Sequence, residues 1–209
     1  MSRCEGCHSD FVCFLSGVVA EPTLRRVVSD YHLGNTRPGD VIYWQIDIEG
    51  GVRTGKVMSY RSDGHRNKDR PPTWVHSLMK RRGLLRDDFN LVQCLFGEHL
   101  LAERPTAGVA VVESEKSAIF GSALFSDYVW VATGGKSQLD RTKMGVLRGR
   151  DVVMFPDVDG YAEWVKRSRE FSFARVKVSD LLERTATGEE RARKIDIADR
   201  LLAALTYNS

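Results

Sequence analysis

The sequence predicts an α/β fold, a parallel sheet flanked by helices, with a small N-terminal β-hairpin lobe ahead of it and a C-terminal helix behind it. Three observations carry that expectation. Val109-Ala110-Val111-Val112, Tyr128-Val129-Trp130-Val131-Ala132 and Val152-Val153-Met154-Phe155 are short, β-branched and unalternating, the composition of strands buried on both faces. A helical stretch, Lys116 to Phe125, separates the first two, and a glycine turn, Thr133-Gly134-Gly135, follows the second. Strand, helix, strand, helix, strand is the pattern of a parallel sheet with crossover helices.

The chain of 209 residues accommodates one such domain and a smaller lobe. Residues 1–36 form an N-terminal segment. It opens with Cys4, Cys7, His8 and Cys13. Cys-x-x-Cys-His alone is a haem-attachment pattern of exported proteins. As a zinc site, Cys4 and Cys7 supply half of the four ligands needed, and His8, Cys13 or Cys94 would complete it. The other reading is a reduced, disordered terminus. A helix follows from Thr23 to Tyr31, with Gly34 as its stop.

Residues 37–105 read as a basic hairpin lobe. Asp40 to Ile48 and Val52 to Tyr60 flank the turn Glu49-Gly50-Gly51, a hairpin signature. A polar loop runs from Arg61 to Pro72. From Arg53 to Arg86 there are ten Lys or Arg against two Asp, although the whole chain carries only +3. Arg53, Lys56, Arg61, Arg66, Lys68, Arg70, Lys80, Arg81 and Arg82 can follow a phosphate backbone while Trp74 stacks on exposed bases; a solvated loop anchored by its Trp is the alternative. Residues 96–101 form a short helix in which His99 is a surface residue without a role.

Residues 106–180 contain the sheet. After it, Tyr161 to Glu170 is a helix with Tyr161, Trp164 and Val165 on its core face, and Phe173 to Val178 is the last strand. Residues 181–209 are a C-terminal helical extension. Its amphipathic helix, 187–206, has Ile195, Ile197, Ala198, Leu201, Leu202 and Leu205 as its apolar stripe and Asp196 and Asp199 on its polar face. No stretch of about 18 apolar residues and no signal peptide is present, so neither a membrane span nor export is expected, and the protein is expected to be cytoplasmic.

The chemistry is concentrated where strands end. Glu113 follows the first strand and Asp157 and Asp159 follow the third, and in an open parallel sheet such positions converge on one crevice. Carboxylates gathered there repel one another unless a cation neutralises them, and all-oxygen ligation selects Mg2+ or Mn2+. The same residue types also cap helices in any α/β domain.

Glu113-Ser114-Glu115-Lys116-Ser117-Ala118 followed by Asp157-Val158-Asp159 resembles the toprim domain of bacterial primases, topoisomerases and related nucleases, with Ser114 where the family usually has Gly. The likeness is closest to replicative-primase-like proteins of mobile elements, both conjugative elements and phages. It implies a toprim-like metal domain with Asp157 and Asp159 holding one or two Mg2+ ions, and Glu113 as ligand or general base. It implies phosphate contacts from Gly134, Gly135, Lys116 and Lys136. Single-stranded DNA, NTPs and a replicative helicase are the implied partners, and primase-like nucleotidyl transfer the implied reaction. Thr73 stands where primases place a Lys, and a complete zinc ribbon is missing. Two alternatives therefore remain: a non-catalytic module that binds DNA or a helicase, and a toprim nuclease that attacks with water.

Overall fold

The computed structural model describes residues 9–207, and the chain divides into two units, Met1–Gln93 and Cys94–Ser209. Cys4, Cys7 and His8, and with them the zinc reading, lie outside the described residues. Cys13 and Cys94 take part in no disulfide among the described residues.

In the first unit α1 (Asp10–Ser16) begins where Ser9 Oγ accepts the Val12 N–H at 3.4 Å. Residues 9–13 are therefore not a disordered terminus, because Phe11 and Leu15, one turn apart, give this segment an apolar face that is fully buried. α2 (Glu21–Asp30) has Pro in its first turn and buries Leu24 and Val27. β1 (Asp40–Ile46) and β2 (Val52–Ser59) make the expected antiparallel hairpin, in which Trp44 faces Gly55 and Tyr43 faces Lys56. Trp74 belongs to a third strand, β3 (Thr73–Trp74), paired to β2 opposite Lys56, and α3 (Val75–Arg81) follows directly. Phe11 meets the Tyr43 ring edge-on at 5.8 Å, and the Tyr43 and Tyr60 hydroxyls lie 3.1 Å apart in the core.

The second unit starts with Phe96, which exchanges two 3.0 Å backbone hydrogen bonds with Ala132. That pairing draws the unit boundary ahead of the 105/106 division read from the sequence. α4 (Leu100–Glu103) is preceded by His99, which is buried and not a surface residue. The sheet is built from β4 (Val109–Val112), β5 (Val129–Ala132), β6 (Asp151–Phe155) and β7 (Arg175–Val178), all parallel in the order β5-β4-β6-β7. Val112 is in register with both Ala132 and Phe155, so β4, β5 and β6 stop at one level. α5 (Glu115–Leu124), α6 (Arg141–Met144) and α7 (Tyr161–Ser168) are the connecting helices. Gly121 on α5 is the point of closest approach to β5, since any side chain there would collide with the Trp130 ring.

After β7 the chain forms α8 (Leu181–Thr185), α9 (Gly188–Arg193) and α10 (Ile197–Tyr207). The single helix expected over 187–206 is thus two. Lys194 adopts a left-handed conformation, φ 55°, and ends α9. Asp196 and Asp199 then start α10 by capping each other: the Asp199 N–H donates to Asp196 Oδ1 at 2.9 Å and the Asp196 N–H to Asp199 Oδ2 at 3.2 Å. No described helix is long and apolar enough to cross a membrane.

Candidate functional site

β4 delivers Glu113 and β6 delivers Asp157 to the same end of the sheet. The Glu113 carbonyl accepts the Gly134 N–H at 3.0 Å, and Thr133 N–H donates to Val112 at the same distance, which ties the β4 and β5 ends together. Ser114 Oγ accepts from Ser117 N at 3.1 Å and caps α5, so the backbone turns immediately after Glu113. The carboxylate itself accepts the Asp157 N–H at 3.3 Å. Gly160 lies close beside it: a Cβ there would stand 2.9 Å from Glu113 Oε1, so the carboxylate would have to shift.

The electrostatics follow from this crowding. Burial pushes the Glu113 carboxyl above its usual range, opposed by the Asp157 amide and Lys136 and assisted by Asp159 and Glu163. Burial also dominates at Asp157, followed by repulsion from Glu113, Asp196, Asp159 and Asp199; together they push its pKa up to about 8.

Three lysines stand among these acids. Lys116 Nζ lies 3.0 Å from Asp199 Oδ1 and 3.7 Å from Asp196 Oδ2, with its side chain only 15% exposed. Burial works against its charge, yet Asp196, Asp199 and Asp157 overcome that and hold its pKa above the usual lysine value. Lys136 Nζ donates to the Asp159 main-chain oxygen at 2.9 Å and lies 3.6 Å from its carboxylate, while Lys194 reaches the other carboxylate oxygen at 3.5 Å. Among the described residues no three His, Cys, Asp or Glu side chains are gathered to chelate an ion as they stand. Glu113 and Asp157 are adjacent, whereas Asp159 turns toward Lys136 and Lys194. Lys116 and Lys136, expected to hold phosphates, here engage carboxylates. Asp196 and Asp199 are the residues that the sequence reading placed on a helix face and that the fold brings to the acidic site. Their signal was the Asp-x-x-Asp spacing of a reciprocal cap.

The donor set nevertheless suits a hard divalent cation. Glu113 and Asp157 offer only oxygens, and burial, the first cause of their raised proton affinities, leaves them with few water partners that a bound cation would have to displace. Gly134 (φ 89°) and Gly135 (φ 147°) sit just beyond β5, in backbone conformations that side chains rarely adopt.

In the first unit the expected cationic face is partly neutralised. Arg53 pairs with Asp47 at 2.5 Å, Arg70 with Asp40 at 3.0 Å, and Arg61 lies 3.8 Å from Asp69. Asp40 is buried, which favours its neutral form, but Ser59, Arg37 and Arg70 overcome that and keep its carboxyl below the usual range. Arg66 and Lys68 are exposed on the loop, Lys80, Arg81 and Arg82 at the end of α3; Lys56 is half-buried on β2. Trp74 is half-buried as a strand residue, with its ring 5.9 Å from His76.

The four-stranded parallel sheet and its flanking helices place the molecule in the α/β class. The chain belongs to the family described as Domain of unknown function (DUF6371), whose model matches residues 9–158. Among solved structures it is similar to a chain in the assembly of bacteriophage T7 lagging-strand DNA polymerase with the primase domains of two gp4 subunits, bound to an RNA/DNA hybrid and dTTP. That likeness covers 88% of this chain and 86% of the other at 16% identity, with a TM-score of 0.52, and establishes a shared fold. The primase fragment of the bacteriophage T7 primase-helicase aligns over 87% of this chain and 69% of its own at 15% identity, TM-score 0.49. The Escherichia coli primase catalytic core aligns over 90% and 64% at 13% identity, TM-score 0.43. No curated protein matches the sequence.

Proposed function

We propose that this chain is a toprim-type, Mg2+-dependent enzyme that performs primase-like nucleotidyl transfer on single-stranded DNA, with NTPs as substrates, in a mobile-element replication system. The observation that carries this reading is the meeting of Glu113 and Asp157 at the common end of β4 and β6, in a fold shared with a chain of a primase-containing assembly. Asp157 and Asp159 would hold the cation, with Glu113 as a further ligand. Mg2+ bound there would supply neutralising charge to the triphosphate and fix its orientation. Glu113, whose carboxyl is shielded from water and raised in proton affinity, accepts the proton of the attacking hydroxyl at a carboxylate oxygen. Gly134 and Gly135 let the main chain approach a phosphate. Arg66, Lys68, Lys80, Arg81 and Arg82 hold the template strand through its phosphates. A replicative helicase is the protein partner proposed, in keeping with the primase-helicase named among the similar structures.

A second reading, a docking module for DNA or a helicase, is favoured by one feature: lysines already neutralise Asp159, Asp196 and Asp199. A toprim nuclease would use the same carboxylates to activate water. Labelled single-stranded DNA incubated with the protein, NTPs and Mg2+ separates the three. Extension supports nucleotidyl transfer, cleavage the nuclease, and an unchanged strand the docking module.

A further inference from the structure

The first unit carries an apolar cleft of about 460 Å3 that the carboxylate site does not use. Trp44 lines it and lies across Gly55 of the paired strand, where a Cβ would come within 2.9 Å of the indole. Val52, His76, Met79, Leu84 and Phe89 complete the apolar walls. Apolar groups left this open mark a surface that something covers: Val52 is 62% exposed, Leu84 61% and Phe89 40%.

The polar groups of the lining are already partnered. Thr54 Oγ1 and His76 Nδ1 share a 2.8 Å hydrogen bond, Arg53 is paired with Asp47, and Arg86 with Asp88 at 2.9 Å. What the cleft offers is therefore flat apolar surface. His76 stacks on Phe89 with centroids 6.2 Å apart and planes 22° from parallel, and Trp74 lies on from His76 at 5.9 Å, giving a short ladder of rings. Lys80, Arg81 and Arg82, all exposed, follow Met79 directly at the end of α3. Stacking surface joined to concentrated positive charge is what an unpaired nucleotide strand requires, its bases needing a π-face and its phosphates needing cations. An aliphatic peptide anchor would fill the walls but make no use of the rings.

Building on the single-stranded DNA binding proposed above, we infer that this cleft seats an unstacked base of the strand while Lys80, Arg81 and Arg82 hold the flanking phosphates. With its own polar groups paired off, the cleft accepts any base.

The test compares a short oligothymidylate with an abasic oligomer of equal length, which has the same phosphates and no bases, by fluorescence anisotropy at fixed salt. Wild-type protein binds the oligothymidylate about 10-fold or more tightly than the abasic strand, the scale of one base stacked on an aromatic ring. Oligoadenylate behaves like oligothymidylate. Phe89→Ala and, separately, Leu84→Asn bring the ratio toward one while leaving abasic affinity and melting temperature as in wild type. A ratio near one in the wild type, or a ratio kept by both variants, overturns the inference while DNA binding stands, the second because the base is then held elsewhere. If neither oligomer binds, the DNA-binding reading itself fails.

Discussion

The main-chain N–H of Asp157 donates to Glu113 Oε1 at 3.3 Å, which makes neighbours of two carboxylates separated by 44 positions in sequence. Their shared burial sets a pH dependence. Folded Asp157 keeps its proton up to about pH 8, whereas an unfolded Asp releases it near pH 4. Between those values the folded state binds the extra proton, so stability falls as pH rises through the window. Glu113, also raised, acts in the same direction. Asp40 and Asp47, both held below the usual range, contribute stability that is lost only on the acid side of the window. In EDTA the melting temperature should decline steadily from about pH 5 to about pH 8, and Asp157→Asn should flatten the decline. A flat wild-type profile would refute the assigned burial.

Divalent metal should reverse that loss. A cation bound only by the folded protein stabilises it by about 2.7 kcal/mol at 100 times its dissociation constant. Differential scanning fluorimetry should show Mg2+ or Mn2+ raising the melting temperature more at pH 8 than at pH 5, because protons compete for the same oxygens. Asp157→Ala should remove the gain.

Gly160 should be coupled to Glu113. A methyl group added there would stand 2.9 Å from Glu113 Oε1, so Gly160→Ala should displace the carboxylate and weaken Mg2+ stabilisation. In a double-mutant cycle with Glu113→Gln the two effects should fall short of additive by about 0.5 kcal/mol or more. Strict additivity would mean that the two positions do not touch. Glu113→Gln alone should lower nucleotidyl transfer, measured at saturating Mg2+, by about 10^2- to 10^4-fold, with DNA affinity nearly unchanged.

The cations at the end of α3 are exposed, so Lys80, Arg81 and Arg82 can be replaced together by Ala with little change in melting temperature. Three lost phosphate contacts should flatten the salt dependence of single-stranded DNA binding by about 2 logarithmic units per decade of salt. Binding titrations across a salt series would reveal an unchanged slope if these residues are only a solvated face.

Much of the fold was legible because the sheet is written in local composition. Val109–Val112 and Val129–Ala132 are strands for the reason their residues suggested, since apolar β-branched runs without alternation fit strands covered on both sides, whereas in Asp151–Phe155 burial alternates, with Val152 and Met154 buried and Val153 and Phe155 only half-buried. The strand-end rule likewise brought Glu113 and Asp157 together. What stayed hidden depended on distant partners or on backbone angles. The helical period of Ile195, Ala198 and Leu202 extends back past the start of α10 at Ile197 to the residue beside Lys194, and nothing in a lysine announces φ 55°. Counting cations could not reveal that Arg53, Arg61 and Arg70 each face an aspartate. The two-residue strand at Thr73–Trp74 is too short for any periodicity to mark it.

The ion pair between Lys116 and Asp199 has a consequence for how the molecule is made. Its partners are 83 residues apart, so the loop between them must close before the lysine finds its counter-ion, and contacts of such separation form late. Until α10 docks, Lys116 lacks the two aspartates that hold its charge in the folded protein. Maturation of the acidic centre is then a folding event timed by the docking of α10. A refolding experiment should find the secondary structure of the sheet established first and Mg2+ responsiveness arriving in a later, separate phase.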